Sequence, residues 1–304
     1  MSKISQKNLF CWLTPLLVAC MMCVGPAHAA TAGLDTNSAA SLRAKYAELG
    51  QQLGNNQFKR PLYLDSAESS SQLKGDIYAL VEYPFAEVNE AFNGPAHWCD
   101  MLILHINTKY CKASTNKSSS LLEVSIGKKD YQPVDQAYRV EFAYSAATTT
   151  PEYFDVGLNA KTGPLGTSDY HIRLEAVSVQ GGKTFLHLTY SYTYGFVGRL
   201  AMEGYLATIG RGKVGFTNTG NQSSNQPDYI GGVRGVVERN TMRYYLAIDA
   251  YLGALSTPPP EQFEKRLQSW FASTELYPRQ LHEVDRDTYF DMKRREYLRQ
   301  QKSP

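Results

Sequence analysis

The chain has 304 residues, 43% of them hydrophobic, and a formal net charge of +2. That length allows one large domain, or one domain with an appendage. The near balance of charge gives no sign of the basic face that nucleic-acid binding usually requires, and no nucleic-acid partner is expected.

Residues 1–29 read as a secretory signal peptide. Lys3 and Lys7 give a positive start, Leu9 to Val24 is almost wholly apolar, and Gly25-Pro26 breaks the run before the small-x-small site Ala27-His28-Ala29. Cleavage there removes two lysines and no acid, leaving a neutral mature chain of about 275 residues, expected in the periplasm. Leu17-Val18-Ala19-Cys20 is similar to a lipobox, so lipid anchoring at Cys20 is the alternative. The apolar Met21-Met22-Cys23-Val24 that would follow the anchor favours the soluble product. No mature segment is long and apolar enough to span a bilayer.

Cys11, Cys20 and Cys23 lie within the leader. Cys99 and Cys111 remain, and an even pair in an oxidising compartment reads as one disulfide. The competing metal site, His97-x-Cys99 with His105, fits no standard zinc spacing.

In chain order, Ser41 to Leu53 reads as a short helix with Leu42, Tyr46, Leu49 and Leu53 on it, and Ser66 to Ser71 as a loop. Ile77, Ala79, Val81 and Tyr83 alternate with polar residues, the signature of a strand with one buried face. Pro84 then opens a helix carrying Phe85, Val88 and Phe92, which Asn93-Gly94-Pro95 stops, and a second short helix is expected from Ala96 through Leu104.

Five alternating strands follow, centred on Leu122 to Ile126, Tyr138 to Tyr144, Phe154 to Leu158, Tyr170 to Leu174 and Leu186 to Tyr194. Gln180-Gly181-Gly182-Lys183 is a hairpin connection between the last two. One apolar and one mostly polar face per strand predicts an antiparallel sheet in need of a cover, and Phe196 to Ile209 is the expected covering helix. Thr217 to Asp228 reads as a flexible linker. Beyond it Val233, Val237, Tyr244, Ile248, Tyr251 and Leu255 mark one helix, and Phe263, Leu267 and Trp270 another. In the closing charged helix, roughly Asp285 to Gln301, the residues Asp287, Asp291, Lys293, Arg294, Arg295 and Glu296 read as a solvated face.

This order of elements resembles the START-like (SRPBCC, or Bet v 1-like) superfamily. The carriers of the resemblance are Tyr83-Pro84-Phe85-Ala86-Glu87-Val88 and Asn93-Gly94-Pro95-Ala96-His97-Trp98, similar to that superfamily's first strand and helix. The chain is also similar to an exported proteobacterial family. The resemblance implies an α+β helix-grip, a curved antiparallel sheet wrapped on a long C-terminal helix, with a further C-terminal helical segment. The expected divisions are an N-terminal helix and loop over 30–75, the grip over 76–216, the linker over 217–228 and a helical extension over 229–304. It further implies a cavity for a hydrophobic small molecule or lipid, lined here by Phe142, Phe154, Ile172, Leu188, Tyr190 and Tyr192.

Other motifs carry less. Gly210-Arg211-Gly212-Lys213-Val214-Gly215 matches G-x-G-x-x-G but follows a helix rather than a strand, so it reads as helix termination. No nucleophile elbow, H-E-x-x-H pair or Walker loop occurs, and no cofactor or metal is expected. His97, Asp100 and His105 are the one candidate acid–base group, more simply read as surface or capping residues. Tyr190, Tyr192 and Tyr194 share a strand face, which suits core packing and a ring-lined pocket equally. The expected function is therefore a periplasmic binder or carrier. A cyclase- or hydrolase-like enzyme using the same cavity, and an interaction protein with no ligand, are the alternatives.

Overall fold

A computed structural model describes residues 38–116, 119–208, 210–220 and 227–302. The expected leader, its cleavage site and Cys20 lie outside these residues. The elements run α1 (Ala39–Glu48), α2 (Gly50–Gly54), β1 (Leu62–Glu68), β2 (Gln72–Val81), α3 (Phe85–Phe92), α4 (Pro95–Leu102), β3 (Thr108–Thr115) and β4 (Ser120–Ile126). They continue with β5 (Tyr138–Thr149), β6 (Tyr153–Thr162), β7 (Thr167–Val179), β8 (Lys183–Tyr194), α5 (Phe196–Ala207), α6 (Gly232–Leu252), α7 (Pro259–Thr274), α8 (Pro278–Leu281) and α9 (Arg286–Lys302).

The eight strands form one antiparallel sheet in the order β1-β2-β8-β7-β6-β5-β4-β3. Register follows side-chain parity. Ile172 faces Tyr190, Leu174 faces Leu188 and Leu122 faces Phe142, so the apolar sides of all these strands share one face. A long helix packed on an antiparallel sheet, with further helices behind it, is the α+β helix-grip that the sequence implied.

The gripped helix is not the expected one. Phe196 to Ala207 does form α5, yet Phe196, Val197 and Leu200 are exposed and only Gly198 is buried (Ile209 lies outside the described residues). The helix on the sheet is α6, which packs against β1, β2 and β8 on one side and α4 and α7 on the other. Fifteen of its 21 residues are buried, among them the charged Glu238, Arg239 and Arg243. It approaches so closely that a Cβ on Gly75 of β2 would overlap the Thr241 hydroxyl. Residues placed outside the grip by sequence thus supply two of its elements, β1 and α6.

Two further expectations change. The linker is closed at its described ends, where Asn218 bridges Tyr229 and the Thr219 amide donates to the Asp228 carbonyl at 2.8 Å. In α9, Lys293 and Glu296 are fully buried rather than solvated, because Lys109 of β3 shares Glu296 and backbone carbonyls take up the remaining ammonium protons. Elsewhere the local signals hold. Gly210 ends α5 by donating its amide to the Tyr205 carbonyl, and Gly181 and Gly182 take the positive φ that their hairpin needs. Cys99 of α4 and Cys111 of β3 form the disulfide, with Cα atoms 5.2 Å apart.

The outer face of the sheet is covered in part by α1 and α2, where Leu42, Leu49 and Leu53 pack with Tyr153, Val177 and Phe185. Among the described residues no helix is long and apolar enough to cross a membrane.

Candidate functional site

The six residues expected to line a cavity all lie on the inner face, in one continuous core. They are Phe142 on β5, Phe154 on β6, Ile172 on β7, and Leu188, Tyr190 and Tyr192 on β8. Each is 1–5% exposed. Two tyrosines that the sequence did not single out extend the wall. Tyr170 stacks on Tyr192 with ring centroids 5.1 Å apart, and Tyr244 of α6 sits 5.1 Å from Tyr190. These rings pack in the core between sheet and helix, and several open clefts among the described residues lie elsewhere. One of about 420 Å³, for example, is lined by Phe58, Phe216, Tyr277 and their neighbours.

Burial holds the phenols of Tyr170, Tyr190, Tyr192 and Tyr244 above the ordinary range, so they stay neutral hydrogen-bonding groups. Their polar satisfaction is uneven. Tyr170 meets the Thr167 hydroxyl at 2.8 Å and Asn240 reaches Tyr190, while among the described residues the Tyr192 hydroxyl has only the Met202 sulfur at 3.7 Å. A phenol with so weak a partner is where a ligand's polar atom gains most.

Over this end of the wall lies α5. Its inward residues are Met202, against Tyr192, and Tyr205. Its outward residues Phe196 (81% exposed), Val197 and Leu200 join Leu165 of the β6–β7 turn, since Gly166 abuts Val197. These apolar residues stand beside the exposed Arg199 and Glu203, so the outer face of α5 is mixed and carries an exposed apolar patch.

Beside Tyr205 the structure gathers five ionisable side chains from four separate stretches of chain. Glu283 accepts from Arg243 of α6 at 2.5 Å and pairs with Lys129 at 2.7 Å and Lys213 at 3.9 Å. Burial opposes the Glu283 carboxylate, but Arg243, Lys129 and Lys213 outweigh it and hold it below the usual carboxylate range. Lys129 also donates to the Tyr205 hydroxyl at 2.9 Å. Burial alone would raise that phenol; the lysine brings it below its ordinary value instead. One turn before Arg243, Arg239 completes the group. No sequence motif announces it, because it is assembled only by tertiary folding.

A second buried network lies on the outer face. His187 stands between two carboxylates, Nε2 to Asp76 at 2.9 Å and Nδ1 to Glu175 at 3.1 Å, and stacks on Tyr78 at 4.1 Å. Burial disfavours the imidazolium, yet the two carboxylates prevail and raise its pKa. With both nitrogens committed, His187 has no free position for proton transfer, so the network acts as a clamp beneath α1. The acid–base group suggested by sequence is not brought together. His97 Nδ1 meets the Ala91 carbonyl, Asp100 pairs with Arg266, and His105 is buried against Tyr244.

No protein-family model matches the chain, and no curated protein does. Among solved structures it is similar to the Zhui aromatase/cyclase from Streptomyces sp. R1128, at 11% identity over 41% of this chain and 70% of that one, with a TM-score of 0.31. It is similar to norcoclaurine synthase from Thalictrum flavum, at 12% identity over 51% and 83%, TM-score 0.32. It is also similar to human StAR-related lipid transfer protein 5, at 10% identity over 56% and 89%, TM-score 0.29. These neighbours are START-like (SRPBCC) proteins, the superfamily that residues 83–98 resemble. At such scores the likeness is one of outline. The assignment of a helix-grip rests on the sheet order and on α6.

Proposed function

We propose that this chain is a periplasmic binding or carrier protein for a hydrophobic small molecule or lipid, taken up at the tyrosine-walled end of the grip when α5 lifts away. The observation that carries the reading is α5 itself. It presents Phe196, Val197 and Leu200 outward beside Arg199 and Glu203, and it covers Tyr192, whose hydroxyl has only a weak sulfur partner among the described residues. An exposed apolar patch flanked by charge suits a helix that meets lipid or ligand on leaving the wall.

A second reading, a solid grip that serves only as scaffold, is favoured by the 1–5% exposure of the six lining residues. The two differ when a ring is removed. In a solid core Tyr192→Ala costs about 3–5 kcal/mol by leaving a void. Around a space that opens for a ligand the loss is smaller and ligand retention changes. The carrier reading expects an apolar compound in a solvent extract of the purified protein, uptake of Nile red, and a folded Tyr192→Ala variant with altered uptake. An empty extract, no dye uptake and an unfolded variant would overturn it in favour of the scaffold.

A further inference from the structure

We infer that the basic cluster beside α5 receives the anionic head of an amphiphile, a carboxylate or phosphate monoester whose apolar tail runs along the tyrosine wall. This deepens the carrier reading and rests on it.

The argument begins with Arg239. Its residue is 1% exposed, yet it forms no ion pair among the described residues, and its one hydrogen bond there goes to the Val214 carbonyl at 3.3 Å. Guanidinium groups are almost never fully buried without a partner, because desolvation is costly unless a counter-charge offsets it. Arg243, four residues on along the same face of α6, is 2% exposed and leaves its Nε without an acceptor. Its carboxylate partner Glu283 is already shared with Lys129 and Lys213. Three cations therefore share one carboxylate and the fourth, Arg239, pairs with none among the described residues, in a place largely withdrawn from water.

The nearest carboxylate in sequence does not correct the balance. Glu238 is turned to the other side, where it accepts from the Ser66 and Thr217 hydroxyls and from the Phe216 and Thr217 amides. The cluster instead adjoins the tyrosine wall. Tyr205 carries the Lys129 contact inward from α5, Arg239 lies near enough for its charge to act on the Tyr192 phenol, and the Arg243 side chain bonds to Asn240, which reaches Tyr190. A plain inorganic anion would use the cations and leave the wall idle. A neutral lipid would use the wall and leave Arg239 uncompensated. An anionic amphiphile uses both, and guanidinium groups match carboxylate and phosphate oxygens in geometry as well as charge.

The test is displacement of Nile red from the full chain by decanoate, decyl phosphate and decanol, which share a tail and differ in head. In the wild type at least one anion is expected to displace the dye at a concentration about tenfold below that of decanol, and the better anion identifies the head. Arg239→Met should erase that preference while leaving decanol unchanged, and Arg239→Lys should restore part of it. Lys129→Gln, a milder change at the half-buried rim, should narrow the preference severalfold and provides the reading should Arg239→Met fail to fold. Dye displacement by decanol as readily as by both anions, or an undiminished preference in the Arg239→Met and Lys129→Gln variants, overturns this inference alone. Failure of the dye and of all three amphiphiles to bind removes the carrier reading, and the inference with it.

Discussion

Two clusters of buried basic residues stand in this molecule, and they are built on opposite accounts of hydrogen bonding. Between β3 and α9, Lys293 donates to the His105 and Thr108 carbonyls and to Glu296, all within 2.8 Å. Lys109 donates to the Ile106 and Asp130 carbonyls, touches the Met292 sulfur and shares Glu296. Each ammonium proton has an acceptor, so no donor of the group is left over; the orphan here is an acceptor, Glu296 Oε1, which the Lys109 ammonium faces at 3.1 Å. Beside α5, Arg239, Arg243, Lys129 and Lys213 crowd one carboxylate and leave donors over. Buried charge is thus common to both clusters, and the surplus of donors over acceptors is what distinguishes the one to which a ligand is assigned above.

The largest expected effect lies in the complete cluster. Glu296→Gln strands two buried lysines and should cost about 3–5 kcal/mol, read as a lowered urea midpoint at unchanged slope. A loss under about 1 kcal/mol would show that the lysines find other compensation and that the cluster is not closed. Next comes the brace on the same strand. Cys99→Ser with Cys111→Ser removes the bridge that ties α4 to β3 and should cost about 3 kcal/mol by freeing a loop of about a dozen residues in the unfolded chain. Under denaturing, non-reducing conditions Cys99 and Cys111 of the wild type should resist thiol labelling; labelling of both would refute the bridge.

A third effect is a pH dependence. Burial pushes the Lys293 ammonium down to about 8, with Glu296 resisting and Lys109 reinforcing the shift. A lysine whose folded pKa is depressed holds fewer protons folded than unfolded between those two values. Its destabilising contribution is thus complete below about pH 8 and fades as pH rises towards the unfolded value near 10.5. The stability of wild type relative to Lys293→Met should improve by about 1–3 kcal/mol between pH 7.5 and 9.5. A flat difference across that range would place the titration elsewhere. The smallest effect sharpens the contrast. Arg239→Met removes an uncompensated charge from the open cluster, so stability should stay level or rise by about 1 kcal/mol where Glu296→Gln falls. A fall of 3 kcal/mol would mean that Arg239 is held by contacts as complete as those of Lys293.

Much of the fold was legible because strand parity is a local property. The alternation from Leu122 to Tyr194 placed Phe142, Ile172 and Tyr190 on one face, and the two cysteines outside the expected leader left a single pairing. What could not be read was context. β3 escaped notice because Lys109, a buried lysine, interrupts the apolar alternation that marks a strand. α5 and α6 exchanged expected roles for a related reason. Charged residues count as polar in any periodicity, whether they end in solvent or are satisfied inside, so the charge-poor α5 looked like core and the charge-rich α6 did not. The basic cluster was further out of reach, since residues 129, 213, 239, 243 and 283 share no local pattern.

The sheet order has a consequence for how the chain comes to be folded. β2 is synthesised early, yet its second neighbour is β8, so Gln72 to Val81 must wait for Lys183 to Tyr194 before that edge is paired. The helix that covers Gly75 arrives later still. Throughout that interval the nascent β1–β2 hairpin presents an open edge and an uncovered greasy side, the state in which chains associate with their neighbours. Long-range closure of this kind is slow. A chaperone that holds the first half of the polypeptide extended until its last third has emerged would meet a need written into the strand order itself.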